Sequence, residues 1–244
     1  MGKQEKRSKK KGSKLPDLRV VILAGGSGTR FWPLSRRKNP KQYLTIVGGK
    51  KLVEQTVDRV KGLVPVENLY TVAVSWQRRK LEKILPALPR KNLLTEPQAR
   101  NTAPSVLLAT ATIYLDNPEA VIAILPADHY IQEVQLFRQK LQAAAAAAYK
   151  FKKIIMFGIP PTSPATGYGY LHCPDVSFKT LCGEKFYTVS GFKEKPDLPT
   201  ALDFIQSGEY YWNSGIFLWR ADVFEESLRK YTPELFSAWI KILE

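Results

Sequence analysis

The chain has 244 residues, 44% of them hydrophobic, and a formal net charge of +15. This length suits one sizeable α/β domain or at most two small ones, and no apolar run approaches the length of a membrane span. The apolar run that follows the basic N-terminus ends at Gly25, which is too short for a signal-peptide core, so we expect a cytoplasmic protein. The two cysteines, Cys173 and Cys182, lack metal-site spacing and are too few for a disulfide framework, which agrees with that location.

Much of the positive charge lies at the N-terminus. Residues 1–14 hold seven lysines and arginines and one glutamate, so they contribute +6 of the +15 and leave +9 for the rest. Because this stretch has no apolar residue after Met1, we predict a disordered basic tail. A solubilising tail is the favoured interpretation, and a salt-sensitive contact with nucleic acid or an anionic membrane is the alternative. The remaining positive charge suits phosphorylated substrates.

Strands and helices alternate along the first two thirds of the sequence. Apolar, β-branched runs predict strands at 18–23, 69–74, 93–96, 120–125 and 153–157. Helical spacing predicts helices at 51–60, 77–85, 103–115 and 132–149. This alternation predicts a doubly wound, mostly parallel α/β sheet. Later in the chain, we expect strands at 186–192 and up to Trp219, a helix at 221–230 and a new helix near Pro233.

The first predicted strand leads into a glycine-rich loop that runs from Leu23 to Arg30. Three glycines within four positions let backbone N–H groups converge on one anion, as phosphate-binding loops do. Arg30 adds a planar guanidinium and Lys41 a mobile point charge. The dinucleotide fingerprint fails because Phe31 stands three positions after Gly28, and no Lys-Ser/Thr pair follows as in a P-loop. The loop is therefore either a triphosphate cradle or a tight strand-to-helix turn.

The longer stretch AGGSGTRFWPLSRRKNPKQ resembles the signature of the sugar-1-phosphate nucleotidyltransferases, and most closely the mannose-1-phosphate guanylyltransferase branch. Five further motifs follow in family order: EPQARNTAP, PADH, GIPPTSPATGYGYL, FKEKP and WNSGIF. The resemblance covers nearly all of residues 18–236 and implies a Rossmann-like, nucleotide-diphospho-sugar transferase-like fold. It implies transfer of GMP from GTP to mannose 1-phosphate, with release of pyrophosphate. It also implies a second metal-binding aspartate beyond Glu244, so we expect 15–244 to be a C-terminally truncated nucleotidyltransferase domain.

The resemblance and the loop chemistry together define a nucleotide side. Asp128 follows a predicted strand, where open α/β sheets bind ligands, and Mg²⁺ prefers one or two carboxylates together with phosphate oxygens. Taken alone, an Asp after a strand is more often a helix cap, but the resemblance of PADH to the family signature favours Asp128 as the expected magnesium ligand. The neighbouring His129 is expected to act only as a hydrogen-bond partner that orients the carboxylate. The expected catalytic residues are Arg30, Lys41, Asp128 and Lys195. The expected nucleotide contacts are Leu23, Ala24, Gly25, Gly26, Gly28, Thr29, Arg30, Arg100, Asn101 and Pro126.

The later motifs imply a sugar side. By resemblance, Glu194 binds sugar hydroxyls and Lys195 holds the phosphate of the sugar, although a Glu–Lys pair is commonly a surface ion pair of little energy. The WNSG motif implies sugar recognition, although a β-bulge with an Asn turn is the alternative. Ala165 stands where the family has glutamate. The expected sugar-phosphate contacts are Gly169, Glu194, Lys195, Asn213 and Gly215.

Three alternative functions stay open. The first is a thymidylyl- or uridylyltransferase that acts on glucose 1-phosphate, and the second is a non-catalytic regulatory homologue that binds nucleotide sugars. The third is a nucleic-acid binder, for which the sequence contains none of the usual modules. We expect GTP and mannose 1-phosphate as substrates and Mg²⁺ as cofactor, with no specific nucleic acid and no membrane partner. A homo-oligomer is left open.

Overall fold

The computed structural model describes residues 16–26, 32–36, 39–98, 102–174 and 177–244, so the tail predicted at 1–14 lies outside the described residues. The strands are β1 Leu18–Leu23, β2 Leu69–Val74, β3 Leu93–Glu96, β4 Val121–Pro126, β5 Ile155–Ile159, β6 Gly169–His172, β7 Ser177–Leu181, β8 Glu184–Tyr187, β9 Gly191–Glu194 and β10 Tyr210–Arg220. The helices are α1 Leu52–Val60, α2 Arg78–Ile84, α3 Thr102–Asp116, α4 Val134–Phe151, α5 Leu198–Ser207, α6 Ala221–Tyr231 and α7 Pro233–Leu243. The predicted alternation is therefore present.

Eight of the ten described strands form one sheet in the order β3-β2-β1-β4-β10-β6-β9, with β5 also paired to β10. Strand β1 runs parallel to β2 and β4, and β2 runs parallel to β3. Strand β10 is antiparallel to β4, β5 and β6, and β9 is antiparallel to β6. Strands β1 to β6 thus share one direction, which β9 and β10 oppose. The predicted mostly parallel α/β sheet is confirmed.

Helices cover both faces of this sheet. Val20 and Ile22 of β1 belong to the apolar cluster that includes residues of α1, α2 and α4, while Val21 belongs to the cluster with α3 and α6. All three side chains are fully buried, which explains why the run is continuously apolar. Trp239 of α7 packs behind α3 and α6 as a further layer. No described helix combines the length and the apolar character that crossing a bilayer requires.

The single strand predicted at 186–192 is wrong. Strand β8 ends at Tyr187 and pairs with β7 in a separate two-stranded sheet, whereas β9 begins at Gly191 and joins the main sheet through β6. Between them, the Ser190 N–H donates to the His172 carbonyl at 2.9 Å. The chain changes sheets here because its two halves find different partners, which local strand propensity does not encode.

Candidate active site

A gap in the sheet lies beside strand β10. Strand β5 pairs with β10 over residues 212–218, so it occupies one edge of β10 along that length. Strand β4 pairs over residues 217–220 and β6 over residues 210–212. A strand has only two edges. Residue 212 of β10 pairs with both β5 and β6, and residues 217–218 pair with both β5 and β4. Strands β4 and β6 therefore lie end to end on the edge opposite β5. The space between the end of β4 and the start of β6 therefore lies beside residues 213–216.

The carboxyl ends of β1 and β4 form one side of this gap. Leu23 and Pro126 are register partners at these two ends. After Leu23, the N–H of Ala24 donates to the Val72 carbonyl at 2.8 Å, so the chain leaves the sheet at its carboxyl edge. Five of the predicted nucleotide contacts lie outside the described residues: Gly28, Thr29, Arg30, Arg100 and Asn101.

The buried carboxylate of Glu96 lies against the start of the glycine-rich loop. A Cβ atom at Gly25 would stand 3.1 Å from Glu96 Oε1, so glycine permits this close approach. The hydroxyl of Ser105 donates to Glu96 Oε2 at 2.8 Å, and Ser75 Oγ donates to the Glu96 carbonyl at 2.9 Å. Glu96 is only 6% exposed. The first glycine of the loop, Gly25, thus packs against a hydrogen-bonded carboxylate at the end of β3.

Lys41 and Asp128 meet at the same edge of the sheet. Lys41 begins a short 3-10 turn, Lys41–Tyr43, and Asp128 comes two residues after the end of β4. Lys41 Nζ lies 3.2 Å from Asp128 Oδ2, and both side chains are partly exposed. The sequence indicated a role for each residue, but nothing in it indicated their contact. The structure thus brings a cation and a carboxylate into one space beside the glycine-rich loop.

Arg59, which the sequence analysis missed, holds the backbone next to Asp128. Arg59 Nη2 donates to the His129 carbonyl at 2.8 Å. Arg59 is only 4% exposed, and its spacing from Thr56 on the buried face of α1 is the signal that could have identified it. Burial lowers the pKa of His129, and Arg59 and Lys41 lower it further against the opposing charge of Asp128. His129 is therefore neutral at neutral pH.

Gly169, Glu194 and Lys195 stand at the start of β6 on the other side of the gap. Gly169 and Glu194 are register partners. A Cβ atom at Gly169 would lie 2.7 Å from Glu194 Oε2 and 2.7 Å from the Phe192 ring, so a side chain at this position would have to displace both groups. Lys195 Nζ lies 3.1 Å from Glu194 Oε1, and both side chains are more than half exposed. In solvent such a pair adds little stability, so both groups can turn to a ligand.

Asn213 and Gly215 lie in a bulge of β10, as the alternative interpretation of the WNSG motif stated. The pairing of β10 with β5 shifts register between Asn213 and Phe217. Gly215 has a φ of +73°, its N–H donates to Asn213 Oδ1 at 3.0 Å, and a Cβ atom there would lie 3.3 Å from Pro126. Ser214 Oγ fastens the bulge by donating to the Phe157 carbonyl at 2.7 Å. The bulge therefore lies beside the gap, with Gly215 against Pro126 at the end of β4.

Ala165, where the family has glutamate, contributes its backbone to the structure. Its carbonyl accepts a hydrogen bond from the hydroxyl of Tyr170 at 3.0 Å, and its N–H donates to the Ser163 carbonyl at 2.8 Å. Tyr170 is fully buried. The loop before β6 is thus anchored through backbone atoms that any residue except proline would supply at position 165.

A family model described as nucleotidyl transferase matches residues 19–244, so the chain belongs to the nucleotidyl transferase family. The mannose-1-phosphate guanylyltransferase of Escherichia coli K12 is 38% identical over 234 residues, which are 91% of this chain and 47% of that protein. RfbM, a mannose-1-phosphate guanylyltransferase of Salmonella typhimurium, is 38% identical over 226 residues, 89% of this chain and 45% of its own length. The resemblance to the sugar-1-phosphate nucleotidyltransferases, close to the mannose-1-phosphate guanylyltransferases, is therefore confirmed.

A solved structure supports the same fold. A Thermus thermophilus protein described as mannose-1-phosphate geranyltransferase matches with a TM-score of 0.82 at 33% identity, covering 93% of this chain and 64% of that one. The predicted nucleotide-diphospho-sugar transferase-like fold is thus confirmed. The chain spans about half the length of the curated relatives it matches.

Proposed function

We propose that this domain transfers GMP from GTP to mannose 1-phosphate, producing GDP-mannose and pyrophosphate. The gap beside β10 carries the proposal, because Lys41 and Asp128 stand on one side of it and Glu194 and Lys195 on the other. A reaction between two phosphorylated substrates needs counter-charges for both, and a lysine on each side meets that need. Relatives named mannose-1-phosphate guanylyltransferase favour this base and this sugar among nucleotidyl transfers.

In the proposed reaction, a phosphate oxygen of mannose 1-phosphate attacks the α-phosphorus of GTP in line. The new P–O bond forms as the bond to the α–β bridging oxygen breaks, and the electron pair leaves with pyrophosphate. No protein nucleophile is needed, so the chain contributes positioning and charge neutralisation. Lys195 would hold the incoming phosphate, and Lys41 with Arg30 would steady the leaving pyrophosphate.

Asp128 is the residue that we assign to Mg²⁺. Among the residues that the structure describes, no group of three or more His, Cys, Asp or Glu side chains could hold a metal by itself. A single partly exposed carboxylate fits Mg²⁺, which takes its other ligands from phosphate and water. Bound there, the ion would supply Lewis-acid neutralisation of phosphate charge. Lys41 shares this carboxylate and can turn to phosphate oxygens when the nucleotide enters.

The carboxylate of Glu96 supports guanine as the base. Guanine presents two adjacent donors, N1–H and the N2 amino group, which a carboxylate accepts together. Uracil and thymine present one donor between two carbonyl oxygens, which a carboxylate would repel. Glu96 lies at the end of β3 against Gly25 and is held through Ser105.

Because GTP is available in the cytoplasm, the proposed reaction also assigns the protein to that compartment.

Pyrophosphate release tests the proposal. The panel crosses GTP, UTP, dTTP and ATP with mannose 1-phosphate and glucose 1-phosphate, in the presence of Mg²⁺. We expect turnover with GTP and mannose 1-phosphate that exceeds every other pair. Preference for another pair would overturn the assigned base or sugar. Binding of nucleotide without turnover for any pair would favour the regulatory homologue, and absence of nucleotide binding would overturn the family chemistry for this chain.

A further inference from the structure

A buried amide grips the start of the glycine-rich loop. The Gln42 side chain is 3% exposed, and its Nε2 donates to the Ala24 carbonyl at 2.5 Å and to the Gly26 carbonyl at 3.1 Å. An amide nitrogen has two hydrogens, so both donors are used on carbonyls two positions apart in one loop. Gln42 therefore sets the orientation of two carbonyl groups in the stretch proposed to meet the nucleotide phosphates.

These carbonyl oxygens matter because the loop must bind an anion. A carbonyl oxygen that faced the phosphates would repel them, whereas backbone N–H groups attract them. Directed at Gln42, the oxygens of Ala24 and Gly26 are satisfied within the protein. Because these two carbonyls are already held, the start of the loop also loses less conformational entropy when the nucleotide binds.

The turn that carries Gln42 is itself fixed to the core. The next residue, Tyr43, is 3% exposed, and its hydroxyl donates to Gln77 Oε1 at 3.0 Å. The residue before it, Lys41, contacts Asp128. One short turn thus joins the buried core, the glycine-rich loop and the end of β4.

We infer that Gln42 is a positioning residue that pre-organises the glycine-rich loop for nucleotide phosphates. The inference rests on the proposed function only in requiring that this loop bind a nucleoside triphosphate. It does not depend on which base or which sugar the domain uses. Gln42 acts through the loop backbone and is not a catalytic residue.

The test compares Gln42→Met and Gln42→Glu with Gln77→Met. Methionine keeps the length of the Gln42 side chain and removes both donors. Glutamate keeps its size and replaces the donating nitrogen with an oxygen. The test can be carried out if either of the two variants folds. Gln77 is 1% exposed and supports the same turn, but its hydrogen bond goes to Tyr43 and not to the glycine-rich loop, so its variant controls for general loosening. Titration calorimetry with Mg²⁺ measures the Kd of whichever of GTP, UTP, dTTP and ATP the wild type binds best, and thermal unfolding measures stability.

We expect each Gln42 variant to raise the Kd by about tenfold or more, because the binding-competent loop becomes a minor state. Gln77→Met loosens the turn but keeps both donors of Gln42, so it should raise the Kd clearly less than either Gln42 variant even where its unfolding temperature falls. Unchanged affinity in the Gln42 variants, or equal losses in the Gln42 and Gln77 variants, would overturn the inference and leave the proposed function intact. A preference for a base other than guanine would overturn the proposed substrate alone, and a wild type that binds no triphosphate would overturn both.

Discussion

The carboxylate of Asp128 is expected to pair with Lys41 and to bind Mg²⁺, so a substitution that removes its charge tests both roles. Asn keeps the shape of the side chain but cannot form the ion pair seen at 3.2 Å or neutralise Mg²⁺. We expect Asp128→Asn to lower turnover on the order of a hundredfold or more, because transition-state charge stabilisation is lost. Pyrophosphate release gives the rate, and circular dichroism with thermal unfolding should show an intact fold.

Asp58→Asn is the matched control, because Asp58 forms an exposed ion pair with Lys50 at 2.5 Å on the surface of α1. It removes a carboxylate from an ion pair without touching the gap and should leave turnover near the wild-type value. A near-normal rate of Asp128→Asn with the same dependence on magnesium concentration would contradict the metal assignment.

Lys195 is the second residue whose role a single replacement can test, because its loss should affect one substrate more than the other. Its φ of +44° and the hydrogen bond from its N–H to the Tyr168 carbonyl at 3.1 Å fix its backbone, while its ammonium is exposed beside Glu194. We expect Lys195→Ala to raise the KM for the sugar phosphate by about tenfold, since one charge-assisted contact is lost. The KM for the nucleotide should change by less than about twofold, because that substrate uses the other side of the gap.

Steady-state kinetics with each substrate varied in turn measures both constants. Lys193→Ala is the control, because it removes the same charge from an exposed position of β9, two residues before Lys195, which follows the end of that strand. Equal losses for both substrates in Lys195→Ala would count against a sugar-phosphate role.

At the scale of the element, the bulge of β10 is the part of the strand that lies beside the gap. Gly215→Ala would place a Cβ atom 3.3 Å from Pro126 at a φ of +73°, a conformation that costs about 1–2 kcal/mol for a residue with a side chain. We expect a lower unfolding temperature, by several degrees, and a weaker affinity for the sugar phosphate because Asn213 shifts with the bulge. Thermal unfolding and titration with mannose 1-phosphate measure the two effects.

Gly208→Ala separates strain from function. Gly208 has a φ of +71° and ends helix α5, and a Cβ atom there would have no neighbour within 4 Å, so alanine meets backbone strain alone. It should lose stability without losing affinity. If Gly215→Ala kept full affinity for the sugar phosphate, the bulge would have no part in the sugar side.

At the scale of the whole molecule, the amino end of the sheet contributes to stability and the carboxyl end contains the candidate site. At the amino end, Asp17 accepts hydrogen bonds from Arg19, Asn68 and Asn117, which joins β1 to the segments before β2 and β4. Burial raises the pKa of Asp17, but the bonds from Arg19 and Asn117 outweigh it and leave the pKa below the usual 3.8. This stabilisation is therefore present above pH 3.8 and lost as the pH falls through the lowered pKa. The carboxyl end, where open α/β sheets bind ligands, carries the gap.

The sequence was most informative where one local signal controls the structure. The strands β1 to β4 were predicted because residues buried on both faces of a parallel sheet read as continuous apolar runs. The bulge near Gly215 was among the interpretations because Asn-Ser-Gly favours it. The break between β8 and β9 was missed, because Thr188 and Val189 favour a strand and only the choice of partner strands divides the segment.

The sequence by itself determined the α/β class, the family and the motifs from which the candidate residues were chosen, because these depend on residue types at short spacing. Only the tertiary structure decided that β4 and β6 lie end to end along β10 with a gap between them, that Lys41 contacts Asp128, and that Gln42 holds the start of the glycine-rich loop. Each of these contacts joins segments far apart in the chain. Neither hydrophobic periodicity nor a motif specifies the partner of a side chain across such distances, so the packing of the sheet and its helices makes that choice.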